Sequence, residues 1–455
     1  MKRFLIGLFV FAALYPSAKA QNGNALIAGP MLGYVEHREV LIWMEVAPEV
    51  KKVQIQYKEQ GLSNKVFKEN YSGKLGKNFN PIKIAIGGLK MNTAYNYEIY
   101  LDDKKVELPF ACSFKTKDLW EWRKPAPDFS FLFGSCIYIN DSLYDRPGKR
   151  YGSSPKILET MATVPTEFMI WDGDNLYYRE ADYSSDWGMK YRYSHDFRIP
   201  EMQKLKATRA NFAIWDDHDY GPDNSNASWE MKESALDNFK NYWGNKTFGE
   251  ADNPGIYTKF KWSDAEFFLM DDRYYRSPNE MADSLNGKLN TEKHFYGTKQ
   301  LTWLKNSLLA SNSVFKFIVT GGQMLNPMAD KECFHSYPAE FNELLDFIKD
   351  NKISGVVFLS GDRHYSELIS YPVNDFYTLY DFTCSSLTSG IHNISKKAEF
   401  NNPNRVPGSL LMENNFSKIG ISGKRGERVL TFETYSSTGE NKWRYELKES
   451  DLKLK

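Results

Sequence analysis

The hydrophobic pattern of the chain changes character once. Residues 40–46, 53–57 and 95–100 are short stretches of mostly alternating apolar and polar side chains, separated by polar turns. That period of two predicts strands, and no stretch between residues 26 and 117 has the helical period. The reading for this region is an immunoglobulin-like or fibronectin-like β-sandwich. Residues 118–128, with Pro125 and Pro127, read as a linker. From Phe129 onward the pattern turns to continuous apolar runs at 129–133, 167–171, 211–215, 315–319 and 355–359. Runs of that length and purity predict buried strands, and helical stretches such as 298–311 and 338–351 fall between them. Strands alternating with helices predict an α/β domain over 129–455. The tail returns to strand over 428–447, with Thr438-Gly439 as a hairpin turn, and residues 392–415, rich in Asn, Ser and Pro, predict a long surface loop.

The first twenty residues follow another logic. Lys2 and Arg3 precede an apolar run at 4–15, which ends in Pro16-Ser17-Ala18-Lys19-Ala20. A basic start, a short apolar stretch and an Ala-x-Ala end describe a cleavable signal peptide, 1–20, and therefore a secreted or periplasmic protein. The run is too short to span a bilayer, which needs about 20 residues, and no membrane span is expected elsewhere. The β domain then occupies 21–117. Without a twin-Arg pair, the expected route is export in the unfolded state.

Composition narrows the function. At 42% hydrophobic and 25% charged, the 455 residues are those of an ordinary folded protein, and 15% aromatics suit strands and large cores. Charge is balanced at 58 basic against 58 acidic residues. A nucleic-acid binder that works by counterion release needs a basic excess, so stable nucleic-acid binding is not expected. An anionic substrate must instead be met by local charge. Cys112, Cys136, Cys333 and Cys384 form no Cys-x-x-Cys pair, which removes zinc-knuckle and thioredoxin-type readings. There is no Gly-x-Ser-x-Gly elbow, and Gly423-Lys424 lacks the glycine spacing of a P-loop.

The candidate chemistry lies where the predicted strands end. Gly134-Ser135-Cys136 follows the first, Asp172-Gly173-Asp174-Asn175-Leu176-Tyr177 the second, Asp216-Asp217-His218-Asp219 the third and Ser360-Gly361-Asp362-Arg363-His364 the fifth. Open α/β sheets bind ligands beyond the carboxyl ends of their strands. Carboxylates gathered there repel one another and would take up protons unless a multivalent cation neutralised them. Singly, an Asp after a strand is a turn former or helix cap; four such strand ends together point to a metal centre.

In these motifs the chain resembles the PhoD-like alkaline phosphatases, within the metallophosphoesterases. The matching segments are Gly134-Ser135-Cys136, Gly173-Asp174-x-x-Tyr177, Trp215-Asp216-Asp217-His218-Asp219 and Gly361-Asp362-x-His364, supported by Asp271-Asp272-Arg273-Tyr274-Tyr275-Arg276 and Gln300-Leu301-Thr302-Trp303-Leu304. The resemblance implies a layered α/β/β/α sandwich behind the small β domain. It also implies a dinuclear centre in which Fe(III) takes Cys136, Asp174, Tyr177 and His364, while Ca(II) shares Asp174 and takes Asp217 and Asp362. Zn, Mn or Mg are alternatives. Thiolate, phenolate and imidazole suit a transition metal and an oxygen-only set suits a hard cation. If ionised, Cys136, Asp174, Tyr177, Asp217 and Asp362 balance one trivalent and one divalent ion.

The expected activity is hydrolysis of phosphate monoesters, diesters or both by a metal-activated hydroxide. His218 would stabilise charge or protonate the leaving oxygen, and Arg363 would contact phosphate. The expected substrates are small-molecule or polymeric phosphate esters, and a monomer is expected. The chain departs from the family at Asp219, where Glu is usual. The competing reading is an extracellular binding protein whose ions are structural.

Overall fold

A computed structural model describes residues 25–61, 65–329 and 332–454; the segment 1–20, read from the sequence as a signal peptide, lies outside the described residues. The five apolar runs are strands, Phe129–Gly134, Phe168–Asp172, Ala210–Ile214, Phe315–Thr320 and Val356–Ser360. The first three lie side by side and parallel. The last two are parallel neighbours in a second, six-stranded sheet, between Ala265–Leu269 and Leu379–Thr383. Parallel strands need crossover connections, and helices supply them. Lys156–Thr163, and then Asp186–Phe197 with Pro200–Ala207, link the strands of the first sheet. Thr298–Ala310 and Pro338–Asp350 link those of the second. The outcome is the expected α/β/β/α sandwich.

The two sheets meet through phenylalanines. The Phe131 ring lies 5.2 Å from Phe267 and 5.8 Å from Phe317, and Phe212 stacks on Phe260 at 3.7 Å. These ring contacts tie the two sheets together and so hold the two sets of strand ends in one place. No helix among the described residues is long and apolar enough to cross a membrane.

Strands Leu26–Val35, Glu39–Val46 and Pro81–Gly87 form one sheet of the N-terminal β region, and Val53–Glu59, Phe67–Asn70, Ala94–Leu101 and Cys112–Lys115 belong to the other. The first of these does not end at the domain. Leu26–Val35 runs parallel to Ala210–Ile214, with Leu32 opposite Ala210, so its strands complete a nine-stranded sheet. The Asn211 amide donates to the Leu32 carbonyl at 2.9 Å, and the Trp43 indole to the Asn241 carbonyl at 2.9 Å. This explains why Glu39–Val46 is buried at nearly every position rather than alternately: both faces are covered.

Residues 392–415 are more ordered than a surface loop. They hold the 3-10 turn Ala398–Asn401, and single bridges join Leu411 to Ser366 and Arg405 to Ile369. Arg405 also pairs with Glu367 at 2.5 Å. The segment thus covers Glu367–Tyr371, the outermost strand of the second sheet, whose edge would otherwise be open.

Glu45 carries a cost inside the first sheet. It is 2% exposed, and its Oε2 has no hydrogen-bond partner. Burial raises its pKa from 4.5 to about 7, only partly offset by the hydroxyls of Ser194 and Tyr242 and the charge of Arg198. An acid raised in the folded state contributes stability below its unfolded pKa and loses it as pH rises through the folded value. Glu45→Gln is therefore expected to stabilise the protein by about 2 kcal/mol at pH 8 and to change little at pH 4, read by urea unfolding at the two pH values.

Candidate metal centre

Each site residue is placed by the turn that leaves its strand. The Cys136 N–H donates to the Gly173 carbonyl at 3.3 Å and the Ile137 N–H to the Asp174 carbonyl at 2.7 Å, tying the first two turns together. Gly173 has φ +80°, and a Cβ there would lie 2.7 Å from the Cβ of Asp216. A Cβ on Gly361 would lie 2.6 Å from the Ser135 hydroxyl and 2.8 Å from the Asp172 carbonyl. Only glycine lets these turns approach so closely. Cys136, Asp174, Asp362 and His364 all have positive φ, at 62°, 51°, 64° and 57°. Such conformations cost roughly 1–2 kcal/mol per residue and persist where the surroundings over-determine them, as at functional sites.

The side chains converge. Donor atoms of Cys136, Asp174 and His364 lie within 4.8 Å of one another, although the three residues come from opposite sheets. The Tyr177 hydroxyl donates to Asp174 Oδ2 at 2.8 Å and stands 3.1 Å from His364 Nε2. A second group joins Asp174, Asp217 and His218, again within 4.8 Å. Asp174 is common to both. Asp217 accepts the Asn224 N–H at 2.7 Å through Oδ2, while its buried Oδ1 has no hydrogen-bond partner.

Neither group includes Asp362, whose carboxylate lies 3.7 Å from the Arg363 guanidinium. The Arg363 guanidinium also pairs with Glu399 at 2.8 Å. The His218 ring stacks on Tyr177 at 4.1 Å, and its Nε2 lies 3.5 Å from Asp223.

The electrostatics ask for a cation. Burial, then repulsion from Asp217, Asp219 and Asp362, pushes Asp174 well above the usual carboxylate range. Burial and the Asp174 charge push the Cys136 thiol and the Tyr177 phenol up. Asp362 rises to about 7, mainly through burial. His364 falls to about 3 through burial and the neighbouring His392, which favours the neutral imidazole. Without a cation Asp174, Cys136, Tyr177 and Asp362 are held toward their protonated forms, whereas Asp217, despite its burial, is kept ionised by the charges of His218 and Arg273; a bound cation reverses the first preference and releases the protons. Soft and oxygen donors, a partnerless carboxylate oxygen and a neutral imidazole fit metal ions.

Several residues outside the assigned set hold this arrangement. The Ser385 hydroxyl donates to the Cys136 sulfur at 3.1 Å, and the Tyr151 hydroxyl lies 3.2 Å from His364 Nδ1, opposite the nitrogen that faces Tyr177. The His392 ring stacks on His364 at 4.3 Å. Ser385 follows the strand Leu379–Thr383 and carries the same strand-end signal as the motifs, whereas Tyr151 and His392 lie in loops without any. Asp219 accepts backbone N–H groups of Asp174 at 3.2 Å, Asn175 at 3.1 Å and Asp216 at 2.7 Å, clamping the second turn to the third. Arg273 is fully buried and donates to Asp216 at 2.6 Å and Glu332 at 2.8 Å, while Asp271 accepts the Trp215 indole at 2.8 Å.

Stacked mixed sheets with metal-type donors gathered at their strand ends give this chain a metallophosphoesterase-like fold. The sequence profile of the PhoD-like phosphatases matches residues 131–438, and the chain belongs to that family. Residues 23–118 match a domain of unknown function (DUF7800). Alkaline phosphatase D of Bacillus subtilis (strain 168) is 23% identical over 364 residues, which cover 70% of this chain and 60% of that protein. The alignment thus spans less than two thirds of that relative. Two solved structures share the fold. PhoD superposes with a TM-score of 0.73 at 16% identity, over 94% of this chain and 92% of its own. Purple acid phosphatase PPD1 from yellow lupin (Lupinus luteus) seeds superposes with a TM-score of 0.63 at 10% identity, over 92% and 74%.

Proposed function

We propose that this protein is an exported phosphoesterase that hydrolyses phosphate monoesters, diesters or both at a dinuclear metal centre. The observation that carries the reading is the sharing of Asp174 between two donor groups. Cys136, Asp174, Tyr177 and His364 would hold Fe(III); Asp174, Asp217 and Asp362 would hold Ca(II). The bound cations supply Lewis-acid polarisation of the phosphoryl group and acidify water. His218, beside Asp217 and open to the cavity, would hold the proton delivered to the leaving oxygen. Arg363, fixed by Glu399, would meet phosphate with the guanidinium edge that Glu399 leaves free. Export rests on the N-terminal sequence pattern.

Elemental analysis of the purified protein, paired with turnover of 4-nitrophenyl phosphate and bis(4-nitrophenyl) phosphate, tests this reading. Two metals per chain, a visible iron–tyrosinate band and turnover of at least one ester are expected. Chelation should abolish turnover, and returning the ions should restore it. A metal-loaded protein inert toward both esters would instead support ions with a structural role, and a colourless, fully active di-zinc protein would remove the iron assignment.

A further inference from the structure

Beside the metal-ligand cluster lies a cavity of about 720 Å³, whose lining includes Tyr138, Tyr177, His218 and Asp223 together with the basic Arg146, Lys149 and Arg150. It falls in the size range of small-molecule sites and exceeds what a lone phosphate needs. These basic residues belong to the loop 140–152, which is closed at its neck. The Asn140 amide donates to the Gly152 carbonyl at 2.8 Å, and the Gly152 N–H donates back to the Asn140 side chain at 3.1 Å.

One flank of the loop is held by Arg179, which is buried, pairs with Asp145 at 2.8 Å, donates to the Tyr177 carbonyl and stacks 3.9 Å over Tyr138. The other flank reaches the site through Tyr151, hydrogen-bonded to His364. The loop is thereby fixed to the residues that would bind the metals.

Charge at its tip is unevenly used. Arg146 is paired with Glu180 at 2.6 Å and Arg179 with Asp145, whereas Lys149 and Arg150 have no ion-pair partner among the described residues. Two adjacent exposed cations, anchored beside a phosphate-binding centre and not neutralised by protein carboxylates, suit a second anion on the same substrate. We infer that Lys149 and Arg150 form a subsite for a second phosphate, so that the favoured substrates are esters carrying a further phosphate group beyond the scissile one. This inference rests on the hydrolase reading above and specifies the substrate class of that same site.

The test compares a hexose bisphosphate with the corresponding monophosphate, using wild-type protein with its native metals and the double variant Lys149→Ala/Arg150→Ala. Wild-type protein should favour the bisphosphate by roughly tenfold in kcat/KM. The double variant should raise KM for the bisphosphate by a similar factor with kcat unchanged, leave the monophosphate unaffected, and lose most of the salt dependence of the preference. Equal use of the two substrates by wild-type protein, or equal losses on both in the variant, would overturn the subsite. Calorimetric binding of inorganic triphosphate against orthophosphate reads the same loop without turnover: tighter triphosphate binding in wild-type protein only is expected. If neither ester is hydrolysed, the hydrolase reading falls, and calorimetry alone decides for or against the anion subsite.

Discussion

Asp174→Asn is expected to lower turnover of nitrophenyl phosphates by about a thousandfold or more, the loss of roughly 4 kcal/mol of barrier lowering. The substitution keeps the size of the side chain, and its one carbonyl oxygen keeps one of the two hydrogen bonds that Asp174 accepts, from the Tyr177 hydroxyl at Oδ2 and the His218 backbone N–H at Oδ1. It removes the one charge common to both donor groups. Metal content should fall with turnover, while the circular dichroism spectrum stays unchanged. Because Asp174 is repelled by Asp217, Asp219 and Asp362, the metal-free variant should be at least as stable as metal-free wild-type protein. A variant that kept both metals and full turnover would show that Asp174 is not the bridge.

The second large effect concerns stability. Arg273→Ala should cost about 3–5 kcal/mol, because it strips the partner from buried Asp216 and weakens the hold on Glu332. Denaturant unfolding of metal-free protein measures this apart from any effect on metal binding. The double variant Arg273→Ala/Asp216→Ala should lose markedly less than the sum of the two single losses, since removing both partners leaves no uncompensated charge at that pair. Strict additivity would mean that the ion pair is not what Arg273 contributes.

Much of this was legible in the chain itself. Buried parallel strands are continuous apolar runs, so Phe168–Asp172 and Val356–Ser360 stood out within a residue of their limits, and the polar residues after them marked where ligands gather. Periodicity reports which face of a strand is covered and not what covers it. The union of Leu26–Val35 with Ala210–Ile214 was therefore invisible, as was the packing of residues 392–415 along a sheet edge. The same limit applies around the site. Tyr151 reaches His364 across 213 positions and Arg273 reaches Asp216 across 57. No local spacing encodes such a contact. The Asp271–Arg276 stretch was recognised only as a family-like segment; its work as a buttress beneath Asp216 and Trp215 emerges from hydrogen bonds alone.

The continuous nine-stranded sheet decides where this protein can be cut. Removing residues 25–117 would not detach an accessory module but would strip Ala210–Ile214 of Leu26–Val35, leaving backbone groups unpaired at the start of that strand while Ala213 keeps its bonds to the Asn245 side chain. The truncated α/β half would thus carry a partly open strand edge, and self-association through that edge is its expected behaviour.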